Sequence, residues 1–231
     1  MVFAGCMSHL LRAALFDLDG TLLDSLHDIG AAMNHALSAH GLPPHPLPAY
    51  RHFVGEGAQV LVARAVPEGH AHAREPVLAT YRAFYAEHML DHTRPFAGIL
   101  PMLERLASEG VKLAVLSNKP DAATRRLVTA LLPGVRFEAV YGERAGVPRK
   151  PDPTAALGVA AELGVAPSGC AFIGDTSVDM DTARAAGMYG VGVTWGLRDE
   201  EELRTHQARV IARSVEELLQ HLLALPRFLA S

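Results

Sequence analysis

Two carboxylates close an apolar run near the start of the chain. Leu15 to Ser25 reads LFDLDGTLLDS, with Asp17 and Asp19 two residues apart and the pair Gly20-Thr21 behind them. A buried strand gains nothing from unpaired charge. Either the acids face water at a strand tip, or a cation is expected there. Three other stretches carry matching chemistry. Ser117-Asn118-Lys119 follows the run VKLAVL, Lys150 stands in RKPDP, and AFIG leads into Asp175-Thr176-Ser177, with Asp179 four residues beyond Asp175. Carboxylates hold hard cations through oxygen, and lysine and hydroxyl donors neutralise anions. Lysine occurs only at Lys112, Lys119 and Lys150. Lys150 therefore does not read as one of many solvated surface charges.

Each of these groups follows a strand-like run. Leu11–Asp17, Val111–Ser117, Phe137–Tyr141, Ala171–Gly174 and Tyr189–Thr194 read as strands. Helical patterns lie at Ile99–Glu109, Ala122–Leu132, Thr154–Leu163, Val178–Ala186 and Leu218–Leu225, the last with Ser214 and Glu217 as a capping box. The alternation predicts an α/β fold, a Rossmann-like doubly wound parallel sheet. Ligands of such sheets bind outside the C-terminal strand ends, where the acids, the lysine and the hydroxyls gather. From about Leu26 to Arg94 the rhythm breaks. Helical patterns fill this region, separated by GLPPHPLP, VGEG and VPEG, and it is too long for a βα loop. The expected division is a core of residues 1–23 and 96–231, with an inserted all-helical cap of residues 24–95.

Composition narrows the function. The chain has 231 residues, 49% of them hydrophobic, and a formal net charge of −4, with a pI near 6.3. No basic block marks a nucleic-acid surface, and no uncharged run is long enough to span a membrane. Neither partner is expected. The N-terminus lacks the basic segment of a signal peptide, and the residues before Leu11 read as a loose tail. The two cysteines, Cys6 and Cys170, do not suggest a disulfide framework. Cys170 reads as core packing, and a reducing, cytoplasmic setting is expected.

The motifs DLDGT, Ser117, KPDP with Lys150, and GDTSVD together resemble the haloacid-dehalogenase superfamily, mostly phosphatases with an aspartate nucleophile. The resemblance covers Leu11 to about Leu225, and the helical insert matches the family's cap. Within the family the likeness is strongest to the phosphoglycolate phosphatase branch, through VGEGAQVLVARA, LSNKP and GVTWG. This implies a Mg²⁺-dependent phosphomonoester hydrolase for a small phosphorylated metabolite, with 2-phosphoglycolate foremost. Phosphoryl transfer is mainly positioning and charge neutralisation. Mg²⁺ takes one or two carboxylates plus phosphate oxygens, and Asp17 and Asp175 are the best pair. The resemblance adds the Asp19 carbonyl as a ligand and places Asp179 in the outer shell. It makes Asp17 the nucleophile and Asp19 the acid–base group, with Ser117 and Lys150 on the phosphate. Gly20, Thr21 and Asn118 are candidates for phosphate contact. Gly55, Gly57 and Arg64 of the insert are candidates for substrate contact, Arg64 having an exposed helix charge as its other reading.

Rival functions share the core. A sugar-phosphate mutase of the β-phosphoglucomutase type has the same motifs and cap, and phosphatases for sugar phosphates or pyrophosphate remain alternatives. A phosphonoacetaldehyde hydrolase needs a cap lysine, and the insert has none. Dehalogenases do not fit DLDGT, and a non-enzymatic module would not keep every acid. Asp181 reads as a solvated acid, and Trp195 as site wall or core packing. HAH (His70–His72) and EHMLDH (Glu87–His92) have no supporting acid in place and read as solvated helix faces. Oligomeric state is left open.

Overall fold

The computed structural model describes residues 11–225. The readings made of the first ten residues, Cys6 among them, lie outside these. The first strand, β1 (Ala13–Phe16), is completely buried and is followed by β2 (Leu23–Asp24). Four helices come next: α1 (Leu26–Ala39), α2 (Tyr50–Phe53), α3 (Ala58–Ala65) and α4 (Arg74–His88). The chain returns through β3 (Arg94–Pro95), which pairs antiparallel with β2. Strands and helices then alternate: α5 (Ile99–Ser108), β4 (Lys112–Pro120), α6 (Asp121–Leu131), β5 (Ala139–Glu143) and α7 (Thr154–Glu162). They end with β6 (Cys170–Gly174), α8 (Ser177–Ala185), β7 (Tyr189–Val193), α9 (Glu200–Thr205), β8 (Val210–Ala212) and α10 (Val215–Ala224).

The main sheet has the order β5-β4-β1-β6-β7-β8, and every neighbouring pair is parallel. The path runs from β1 outward to β5, then restarts beside β1 at β6. That reversal makes the β1/β6 boundary the switch point where such sheets bind ligands. Register aligns Phe16 with both Val115 and Ile173, so the residues after β1, late in β4 and after β6 share one edge. Side chains alternate between faces, as strand geometry requires. Ala13 and Leu15 pack with Phe172 and the small face of α7, Ala156 and Ala160. Ala14 and Phe16 pack on the other face with Leu103 and Leu106 of α5 and Leu218 and Leu222 of α10. Cys170 is buried in the first of these layers, and burial pushes its thiol up to about 11.

Several elements differ from the sequence reading. β8 is a sixth strand, and β2 and β3 form a ribbon where the helical insert leaves and rejoins the sheet; at two and three residues these are too short to carry a periodicity. The strand expected at Phe137–Tyr141 runs over Ala139–Glu143. Ser214 caps α10 by accepting the Glu217 N–H at 3.1 Å, but Glu217 Oε2 accepts the N–H of Arg213, not of Ser214. A complete capping box occurs instead at Thr176 and Asp179 of α8.

Candidate active site

The sheet itself fixes the first acid. Asp17 donates its N–H to the Ile173 carbonyl at 2.9 Å, which continues the β1–β6 ladder and leaves the side chain at the strand-end edge. Asp175, directly after β6, is fully buried. Its Oδ1 accepts the Thr21 hydroxyl at 2.7 Å, and its Oδ2 accepts the Leu197 N–H at 2.7 Å. Gly20 makes this approach feasible. Its φ is +82°, and a Cβ there would overlap the Asp175 carboxylate. Trp195 supports the same loop from behind, donating Nε1–H to the Thr21 carbonyl at 3.1 Å.

Asp179 lies in the first turn of α8. Its Oδ2 accepts the Thr176 N–H at 3.1 Å and the Thr176 hydroxyl at 2.8 Å, while Oδ1 accepts Lys150 Nζ at 2.7 Å. Lys150 Nζ also stands 3.0 Å from Asp17 Oδ1. Lys150 thus pairs with two of three acids, Asp17, Asp175 and Asp179, that each bring one oxygen within 4.8 Å of the others, and Asp175 is the one it does not reach. The excess negative charge shows in their protonation. Burial pushes Asp17 up to about 6, with Asp179 and Asp19 adding and Lys150 opposing. Burial, then Asp179 and Asp17, push Asp175 up to about 8. For Lys150, burial disfavours the charge, but Asp17 and Asp179 outweigh it and hold the ammonium above its usual range.

A hard divalent cation fits this set. The donors are all carboxylate oxygens, and their negative charge exceeds that of the one lysine. Asp17 Oδ1 is buried yet accepts no well-directed hydrogen bond, because Lys150 is close in distance but not in direction. Asp19 is outside the cluster. Its side chain turns the other way, with Oδ1 accepting the Ser25 hydroxyl at 2.5 Å and Oδ2 pairing with Lys119 Nζ at 2.7 Å. Asp17, Asp19, Ser117 and Lys119 line a cavity of about 40 Å³ that Gly55, Gly57, Leu61 and Tyr81 of the insert close from above. At roughly 10–15 Å³ per water on this measure, it holds a few water-sized groups.

A model of the haloacid dehalogenase-like hydrolases matches residues 14–193, which include the whole sheet except Ala13 and β8. The chain belongs to that family. It is 37% identical over 217 residues to a phosphoglycolate phosphatase of Pseudomonas putida, covering 91% of this chain and 79% of the relative. It is 35% identical over 209 residues to a phosphoglycolate phosphatase of Xanthomonas campestris pv. campestris, covering 90% and 94%. A solved structure from Lactobacillus delbrueckii subsp. bulgaricus superimposes with a TM-score of 0.87 at 34% identity, covering 92% of this chain and 98% of that one. Among the described residues, no helix is long and apolar enough to cross a membrane.

In this haloacid dehalogenase-like hydrolase, the loop between α2 and α3 is tied to the sheet edge by Asn118, which the sequence placed on the phosphate, and by arginines that the sequence left unread. Asn118 Nδ2 donates to the Gly55 carbonyl at 3.2 Å and to the Lys150 carbonyl at 3.0 Å, and its Oδ1 accepts the Lys150 N–H at 2.9 Å. The Asn118 side chain is spent on joining loops. Arg149 Nη1 reaches the Glu56 carbonyl at 3.2 Å, Arg198 Nη2 the Val54 carbonyl at 3.0 Å, and Arg51 Nη2 the Gly196 carbonyl at 2.5 Å. The signal for two of them was adjacency: Arg149 precedes Lys150, and Arg198 follows GVTWG closely. The structure does not bring Arg64 to the cavity. Its guanidinium pairs with Glu56 and donates to the His52 and Phe53 carbonyls. Asp181 is partly shielded, pairing with Arg184 and His206.

Proposed function

We propose that this hydrolase is a Mg²⁺-dependent phosphomonoesterase that works through an aspartyl-phosphate, with 2-phosphoglycolate as substrate. The observation that carries the reading is Asp17 Oδ1, a buried carboxylate oxygen without a directed hydrogen bond beside a small anion-sized cavity. Asp17 and Asp175 would hold the ion with Asp179 beside them, and bound there Mg²⁺ would offset the repulsion between carboxylate and phosphate.

The protein's own residues account for the transfer. An Asp17 carboxylate oxygen attacks phosphorus as the ester P–O bond breaks. Asp19, placed at the cavity wall by Ser25 and Lys119, gives its proton to the leaving alcohol oxygen. Water then attacks the aspartyl-phosphate, Asp19 takes its proton, and orthophosphate leaves with Asp17 restored. Ser117 donates to a phosphate oxygen, and Lys150 neutralises charge on the phosphate and on Asp17. Gly55 and Gly57 present backbone to the substrate, and the helical insert opens to admit it.

The small cavity and the names of the two curated relatives favour a compact substrate. Initial rates across 2-phosphoglycolate, sugar phosphates, pyrophosphate and nucleotides test this. Phosphoglycolate should have the highest kcat/KM. Isomerisation of β-glucose 1-phosphate without orthophosphate release would replace the reading with a mutase.

A further inference from the structure

The stretch EHMLDH shows no acid in a supporting place beside His92 in sequence, its Asp91 pairing with His88, but the fold brings one to that histidine. Asp28, in the first turn of α1, and His92, just before β3, are 64 residues apart, yet His92 Nδ1 stands 3.1 Å from Asp28 Oδ1. His27 Nδ1 stands 3.6 Å from that same oxygen. The two imidazole rings are 4.1 Å apart between centroids. One ligand atom from each of the three residues lies within 4.8 Å of the other two.

The carboxylate is held ready. Asp28 Oδ2 accepts the Thr93 N–H at 2.8 Å, the Thr93 hydroxyl at 2.7 Å and the His92 N–H at 2.9 Å. Burial works against its charge, but the His92 and Thr93 donors outweigh burial and keep the carboxyl below its usual range. Such hydrogen bonds behind a carboxylate orient it as a ligand. Both imidazoles, by contrast, are open to solvent, with side-chain exposures of 53% and 62%. An ion can therefore arrive from water without opening the fold.

The spacing and chemistry select a metal. Bonds of roughly 2.0–2.1 Å at tetrahedral angles put neighbouring ligand atoms about 3.3 Å apart. The two separations from Asp28 Oδ1, 3.1 and 3.6 Å, bracket that value. Imidazole with one carboxylate suits zinc and its transition-row neighbours, whereas Mg²⁺ prefers oxygen throughout. We propose that His27, Asp28 and His92 form a second metal site, for Zn²⁺ or a similar divalent transition metal, with water completing the coordination. The ion would join the two segments by which the helical insert leaves and re-enters the sheet. Nothing in this assignment depends on the phosphatase reading, because it shares no residue with the acidic cluster.

Titration calorimetry of the full chain with Zn²⁺, in saturating Mg²⁺ to occupy the acidic cluster, is the test. One equivalent should bind with micromolar affinity and should still bind in Asp175→Asn. His27→Gln and His92→Gln should each weaken it at least about tenfold, since changes even to the groups behind metal ligands cost about 10–100-fold in affinity. Both replaced side chains are exposed, and a melting temperature equal to wild type without zinc verifies that the fold is kept. Absence of micromolar binding, undiminished binding in both glutamine variants, or loss of the equivalent in Asp175→Asn alone would each overturn the proposal.

Discussion

Lys119 Nζ lies 2.7 Å from Asp19 Oδ2, with side-chain exposures of 4% and 11%, and above the ring of Tyr85 at 4.7 Å from its centroid. Lys119 comes from β4, Asp19 from the loop after β1, and Tyr85 from α4. One ammonium therefore links two strand ends and the helical insert at the wall of the cavity. Its other effect is to keep Asp19 apart from the Asp17–Asp175–Asp179 cluster, so two carboxylates two residues apart face different cations.

Removing the lysine leaves Asp19 buried without its partner. Breaking a buried pair costs about 3–5 kcal/mol. Lys119→Met should lower the urea midpoint accordingly, and adding Asp19→Asn should recover most of the loss. Turnover of Lys119→Met should fall by about 10²-fold, the low end of what a positioned acid contributes. An unchanged midpoint would mean that the pair stabilises nothing.

The two acids of DLDGT should separate by leaving group. An alkyl alkoxide needs a proton to depart, whereas an aryl oxide such as p-nitrophenolate leaves without one. Asp19→Asn should therefore lose far more activity on an alkyl phosphate than on p-nitrophenyl phosphate in burst-phase measurements. Asp17→Asn should lose activity on both, to within tenfold of background. Equal losses on the two esters in Asp19→Asn would remove its role as proton donor.

How much of this was legible in sequence follows from the length of each signal. Asp17, Asp19, Ser117 and Asp175 stand at or just after buried strands whose apolar runs are plain, and a parallel sheet brings such ends together whatever the loops do; Lys150 lies well beyond the end of β5 and was legible through KPDP and the scarcity of lysine. The Lys119–Asp19 pair was not legible. The two residues are 100 positions apart, and only the register of β1 with β4 brings them together. Arg51, Arg149 and Arg198 escaped for a related reason. They bind backbone carbonyls, so no complementary residue type exists in the sequence to reveal their partners. Arg64 misled in the opposite sense: it lies in the segment that resembles a known family, but its charge is taken up by Glu56 and by the His52 and Phe53 carbonyls, away from the residues that line the cavity.

The acidic cluster makes a statement about pH. An unfolded aspartate titrates near 3.9, whereas burial pushes Asp17 up to about 6 and Asp175 up to about 8. Over that interval the folded chain binds more protons than the unfolded one, so stability falls as pH rises. The contribution is complete below about pH 4 and is lost as pH climbs through about 6 and 8. In EDTA, the melting temperature of wild type should decline from pH 5 to pH 8 relative to Asp175→Asn. Mg²⁺ favours the ionised acids, so it should raise wild-type melting most at pH 8 and should restore turnover stopped by EDTA. A wild type that gained stability over Asp175→Asn towards pH 8 in EDTA would contradict the charge excess.

Gly57 links the helical insert to the site through its backbone. Its φ of +91° with ψ of 168° lies in a region that only glycine enters readily, and another residue there costs about 1–3 kcal/mol. Space is short as well. A Cβ would stand 2.7 Å from Arg149 Nη1 and 3.3 Å from the Asn118 carbonyl. Arg149 can swing aside, but it then releases the Glu56 carbonyl that it holds at 3.2 Å; the Asn118 carbonyl belongs to β4 and cannot follow. Gly57→Ala should therefore unseat the loop that closes the cavity, lowering kcat/KM by about tenfold, the equivalent of 1.4 kcal/mol. Arg64→Ala is the contrasting change. Its ion pair with Glu56 is partly exposed and worth at most about 1 kcal/mol, so kcat and KM should stay within about twofold of wild type. Steady-state kinetics on the two variants decide whether the insert acts on substrate through the closeness of its backbone, as the Gly57 geometry requires, or through the charge of Arg64, in which case the order of the two effects would reverse.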